Sequence, residues 1–204
     1  EQIPYREKIK ERLTKIWDYP KTYSPFKEGG MYFRYKNDGL QNQNVIYKIN
    51  SLDDMTEELF FDPNTLSDDG TVSLTALEIS KDGQYMAYGI SKGGSDWREF
   101  FVKDLKTNEL LKDHIKWAKN SGMTWYKNGF FYSRFPAPKE GDELKGENKN
   151  SKVYYHEIGT EQKDDKLIYE NPEFPERSFY ASVTEDEKFL ILYVMESTTG
   201  NMLY

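Results

Sequence analysis

A unit of two aromatic β-strands separated by a polar loop, each unit entered through a turn, recurs four times along the 204 residues. The leading strands are read at 31–35, 85–89, 130–133 and 189–193, and their partners at 45–49, 99–102, 153–156 and 201–204. The leading strands recur at roughly 54, 45 and 59 residues, close to the period of β-propeller blades. Sixteen Tyr and twelve Phe supply a core built from strands, where aromatic side chains fit a pleated, half-buried surface. The chain therefore reads as all-β: a partial seven-bladed propeller of about three to three and a half blades. A blade has four strands, and a turn and one more strand are expected after the pair ending at Tyr204, so the segment reads as incomplete.

A short helix is expected ahead of the strands. Ile9, Leu13, Ile16 and Trp17 fall at i, i+4, i+7 and i+8, an apolar face over residues 3–17, with Pro4 in the first turn and Pro20 beyond the end. The chain thus divides into a lead-in helix, 1–18, and the incomplete propeller, 19–204.

Turn residues mark the remaining joints. Lys81-Asp82-Gly83 is a tight turn; Lys127-Asn128-Gly129 is read as its repeat, and Glu185-Asp186-Glu187 as a repeat without glycine. Residues 136–152 are charged and nearly free of apolar side chains, so they read as an exposed loop.

The net charge of −7 argues against nucleic-acid binding, which needs a basic face. No apolar run reaches the roughly 18 residues of a membrane-spanning helix. The absence of cysteine removes disulfides, thiol catalysis and cysteine-ligated zinc, and is compatible with both the cytoplasm and the bacterial periplasm.

Sites of chemistry are few. A serine hydrolase elbow needs Gly-x-Ser-x-Gly. The candidate Gly93-Gly94-Ser95-Asp96-Trp97 ends in an indole and reads as a tight turn followed by an anchoring Trp. His114 and His156 read as surface or hydrogen-bonded histidines. Asp62 to Gly70 is rich in oxygen ligands, but Leu66 and Ser67 stand where a calcium loop needs an oxygen and a glycine, so Asx turns are expected. Asp53-Asp54 and Asp164-Asp165 read as solvated pairs. No catalytic residue, metal site or cofactor is assigned. Trp117 and Phe179 each precede the leading strand of a unit. There an aromatic ring either borders the central channel or packs between blades.

Longer motifs carry a resemblance. The run from Leu13 to Lys21, the loop Asp38 to Gln43, the stretch Phe61 to Val72, the segment Tyr88 to Trp97 and the segment Lys152 to Thr160 resemble, in order, segments of the prolyl oligopeptidases. The resemblance implies a serine peptidase that cleaves short peptides after proline and pairs a propeller with an α/β-hydrolase domain. The triad motifs of that domain do not occur here. By this resemblance the chain is the non-catalytic, gating and substrate-orienting part. Its partners are short proline-containing peptides and the hydrolase domain of the same chain. Trp117 matches a position of the apolar wall that receives the third residue before the cut, and Phe179 lies near another. The alternative is a stand-alone propeller serving as an interaction scaffold. A Gly-x-Ser-x-Gly elbow beyond Tyr204 in the parent gene, with Asp and His after it in that order, would decide for the enzyme.

Overall fold

The computed structural model describes residues 4–196 and 200–204. It divides into two compact units, Glu1–Ser73 and Leu74–Tyr204.

In the first unit, helix α1 (Arg6–Trp17) is followed by β1 (Lys21–Thr22), β2 (Phe26–Glu28), β3 (Met31–Asn37), β4 (Val45–Ile49) and β5 (Glu57–Phe61). The helix begins later than the pattern of residues 3–17 implies. Tyr5 takes a left-handed φ of 66° at the N-cap, leaving Pro4 outside; Ile3 lies outside the described residues. No helical residue is buried, and Ile9, Leu13, Ile16 and Trp17 are all at least half exposed. The strands order as β1-β3-β4-β5, with β2 also pairing β3. Phe33, Val45, Ile46 and Ile49 are buried, and Phe26 stacks on Tyr35 at 5.2 Å. After β5, the oxygen-rich stretch folds back on itself as expected. Asp62 Oδ1 accepts the Asn64 N–H at 2.9 Å, Asp69 Oδ1 accepts the Thr71 N–H at 3.0 Å, and Ser67 Oγ accepts the Val72 N–H at 3.1 Å.

The next sheet is β6 (Val72–Ile79), β7 (Tyr85–Lys92), β8 (Trp97–Asp104) and β9 (Leu110–Lys119), in that order. A third sheet follows as β10 (Met123–Tyr126), β11 (Gly129–Arg134), β12 (Lys152–Glu157) and β13 (Lys166–Glu170). The fourth has three strands, β14 (Ser178–Val183), β15 (Leu190–Met195) and β16 (Asn201–Leu203). Each is a sequential meander, the strand arrangement of a propeller blade.

In the second unit, face-to-face packing joins successive sheets. Phe100, Val102, Ile115 and Ala118 meet Met123, Phe130 and Tyr132 in one cluster. Val153 meets Phe179 and Val194 in another. Gly89 is required by close approach: a Cβ there would lie 2.9 Å from the Phe100 ring and from Thr75 Oγ1.

The turns show which local patterns repeat. At 80–85, Asp82 Oδ1 accepts from Ser80 Oγ at 2.6 Å and from the Gln84 N–H at 3.0 Å, with Gly83 at φ 72°. At 184–189, Asp186 Oδ1 accepts from Thr184 Oγ1 at 2.7 Å and from the Lys188 N–H at 3.2 Å, with Glu187 at φ 58° in place of the glycine. The turn at 127–129 differs from the repeat expected there. Tyr126 pairs directly with Gly129, so Lys127 and Asn128 alone make a two-residue hairpin loop. Gly129 belongs to the strand.

Candidate functional site

The site is built on an irregularity in β9. Arg98 pairs with Ala118 and Phe100 pairs with Ile115, so Glu99 alone opposes two residues, Lys116 and Trp117. This is a β-bulge, which re-aims side chains locally. Trp117 carries φ 64°, a left-handed conformation that costs a side chain with a Cβ roughly 1–2 kcal/mol. A bulky residue held there is a genuine outlier, and such outliers cluster at ligand sites. The Trp117 carbonyl is not left free: it accepts the Phe135 N–H at 3.1 Å.

The bulge brings three aromatic rings together. Trp117 meets Trp97 edge to face at 5.6 Å between centroids, and Trp97 meets Phe135 the same way at 6.4 Å. The Trp97 indole N–H donates to the Glu143 carbonyl at 2.6 Å, tying it to the segment 136–150. Lys119 Nζ lies 5.1 Å above the Trp97 ring, within cation–π range. Ile90, Trp97 and Trp117 form the apolar part of a cavity of about 270 Å³ that Ser95, Arg98, Glu99 and Glu143 also line. A recess of about 310 Å³ lies against Trp97, Phe135 and the 136–150 segment. Trp117 stays half-buried.

Among the charged groups at the rim, Glu99 is already matched. Glu99 binds Lys92 at 2.8 Å and His114 at 2.6 Å. Burial pushes its carboxyl up, and these two hydrogen bonds outweigh burial and hold it below the usual range. The His114 ring, on β9, stacks on Phe101 of β8 at 4.6 Å.

A second polar cluster lies behind the bulge. His156 on β12 is fully buried between two carboxylates, Asp165 Oδ1 at 2.6 Å from Nδ1 and Asp113 Oδ1 at 3.0 Å from Nε2. The Tyr132 hydroxyl donates to Asp165 Oδ2 at 2.5 Å, and the Gly159 N–H donates to Asp113 Oδ1 at 2.6 Å. Burial disfavours the imidazolium, but the two carboxylates outweigh it and push its pKa up to about 9. Burial alone would raise the Asp113 carboxyl; the bonds from His156 and Gly159 hold it below its ordinary value. Burial, then the Asp165 carboxylate, raises the Tyr132 hydroxyl. The histidine is hydrogen-bonded, as read from the sequence. Asp165 corrects that reading, because its side chain is fully buried rather than solvated. The adjacent pair diverges, and only one of the two carboxylates turns inward onto the imidazole.

Of the residues singled out in the sequence, Trp117 lines the cavity and Phe179 does not. Phe179 is 2% exposed and packs edge-on to Tyr169 at 5.0 Å. Its ring is enclosed by Val153 and Val194, so its place here is packing. Ser95 sits in the turn after Gly93 and Gly94, and its Oγ accepts the Trp97 N–H at 3.1 Å. Among the described residues no group of three His, Cys, Asp or Glu is placed to hold a metal ion. Sequence reasoning does not reach Trp97 and Phe135 as wall residues. Trp97 carries a signal, an indole directly after a tight turn, but its partner across the sheet is visible only once β8 and β9 are in register.

A model of the family described as prolyl oligopeptidase, N-terminal beta-propeller domain, matches residues 1–204. The prolyl endopeptidase of Elizabethkingia miricola is 43% identical over 204 residues, covering the whole chain and 29% of the relative. Prolyl oligopeptidase A of Amanita bisporigera is 38% identical over 227 residues, covering 98% of the chain and 30% of the relative. Among solved structures, prolyl oligopeptidase B from Galerina marginata, bound to a 35mer hydrolysis and macrocyclization substrate, superposes with a TM-score of 0.85. It is 30% identical, covering 97% of this chain and 30% of that one. The chain thus spans about 30% of the length of these relatives.

Proposed function

Because the chain belongs to the prolyl oligopeptidase N-terminal β-propeller family, we propose that it is the non-catalytic propeller portion of a longer serine peptidase that cleaves short peptides after proline. In this reading residues 1–18 are the lead-in helix joining an α/β-hydrolase domain to the propeller of 19–204. The hydrolase domain of the same chain covers the apolar face of α1. The propeller restricts entry to short, proline-containing peptides and orients them beside the nucleophile, which lowers the entropic part of the barrier.

The observation that carries this reading is Trp117, a bulky residue in a left-handed conformation, half open on a cavity and braced edge-on by Trp97. A rigid aromatic face of this kind suits an apolar side chain of a peptide. We assign it to the third residue before the cut. Phe179, on β14 of the fourth sheet, packs against Val153 of the third.

The test is Trp117→Ala in the full-length peptidase. For a peptide with Phe three residues before the cut, kcat/KM should fall about five- to thirty-fold, the equivalent of roughly 1–2 kcal/mol. A peptide with Gly there should lose far less. Equal losses on both, with a melting temperature lowered as a core cavity would lower it, would make Trp117 a packing residue.

A further inference from the structure

The bulge that presents Trp117 is gripped from outside its own sheet. Gln162 lies in a short 3-10 turn, Gln162–Asp164, between β12 and β13. Its Oε1 accepts the Lys116 N–H at 3.1 Å, and its Nε2 donates to the Lys116 carbonyl at 2.9 Å. One carboxamide therefore binds both backbone groups of the residue preceding Trp117, as a neighbouring strand would. The same Nε2 lies 3.4 Å from the Tyr132 hydroxyl, which is itself bonded to buried Asp165. Asp165 closes the turn and is pinned to His156, so the carboxamide is held from a rigid base.

We propose that Gln162 is a positioning residue for Trp117. It holds the peptide before the bulge so that the indole keeps its left-handed backbone and its face toward the cavity. This inference rests on the reading of Trp117 as a substrate wall. Lys116 is solvent-exposed, so water can replace both hydrogen bonds when Gln162 is removed. What is lost is direction: a bulge backbone hydrated by mobile water no longer fixes one orientation of the neighbouring ring.

The experiment compares peptides bearing Phe or Gly three residues before the cut, using the full-length peptidase. Gln162→Ala is expected to lower the Phe-to-Gly ratio of kcat/KM roughly three- to tenfold, the loss appearing in KM. The melting temperature should fall by about 5 °C or less. Gln162→Glu keeps an acceptor for the Lys116 N–H and loses the donor, so its ratio should be intermediate; it also carries the test if Gln162→Ala does not fold. In a Trp117→Ala background, Gln162→Ala should change the ratio no further, because both act through one ring. If Trp117→Ala collapses the ratio but both Gln162 variants leave it intact, the positioning role is overturned and the wall stands. If Trp117→Ala leaves the ratio intact, the wall falls, and the role of Gln162 with it.

Discussion

His156 is the residue on which the third sheet's polar interior depends. Its folded pKa of about 9 lies above the ordinary 6.5, so its contribution to stability is complete below about pH 6.5 and is lost as pH rises through 9. Asp113 works in the opposite sense. Its folded carboxyl lies below the ordinary 3.8, so its contribution is present above that value and is lost as pH falls further. The second unit should therefore melt highest between about pH 4 and 6.5. Raising the pH past 9 should remove on the order of 3 kcal/mol. Thermal melts from pH 4 to 10 check this. His156→Gln leaves two buried carboxylates without a cation, should cost about 3–5 kcal/mol at pH 6, and should flatten the alkaline decline. An unchanged decline in that variant would assign it to other groups.

Helix α1 has an amphipathic pattern but buries none of its residues. The i, i+4 spacing identifies the apolar face, yet spacing states only which side chains share a face, not what covers them. Leu13 is 60% exposed. Leu13→Ser in this chain should therefore shift stability by no more than about 0.5 kcal/mol, as for surface positions generally. In the full-length peptidase, where we propose that the hydrolase domain covers this face, the same change should destabilise by about 1–3 kcal/mol. Urea titrations of both forms measure the difference. Equal, small effects would leave the helix face without a partner in the longer protein.

For the molecule as a whole, the outer surface of the fourth sheet and its flank are the informative region. Phe189, Tyr193, Met195, Leu203 and Tyr204 are between 36% and 66% exposed. Apolar area left in water at roughly 25 cal/mol per Å² favours association. The purified chain should bind a hydrophobic dye or self-associate, which dye fluorescence and light scattering would report. It should also hydrolyse a proline-containing chromogenic peptide no faster than buffer does: its Gly-x-Ser-x-Gly match, Gly89-Ile90-Ser91-Lys92-Gly93, puts Ser91 buried in β7, and the next element is strand β8 rather than the helix of a nucleophile elbow. Turnover abolished by a change at Ser95 would overturn this assignment.

The paired aromatic strands follow from sequence alone, because aromatic runs between turn residues have one economical way to bury their rings; outer strands such as β5 (Glu57–Phe61) and β13 (Lys166–Glu170), which lie outside these pairs, do not. The run at 45–49 is β4 as read, and the runs at 85–89 and 99–102 lie inside β7 and β8. The Asp82 and Asp186 turns also repeat as read, since the interactions that build them are local to five or six residues. The site depends on contacts distant in sequence. Trp97 meets Trp117 through strand register, Gln162 reaches Lys116 from the next sheet, and Asp165 turns inward because His156 waits across the hairpin. Residue type and spacing set which groups can form strands and turns. Only the packed sheets decide which of them share one side of a bulge, because a single extra residue in β9 re-aims every side chain beyond it.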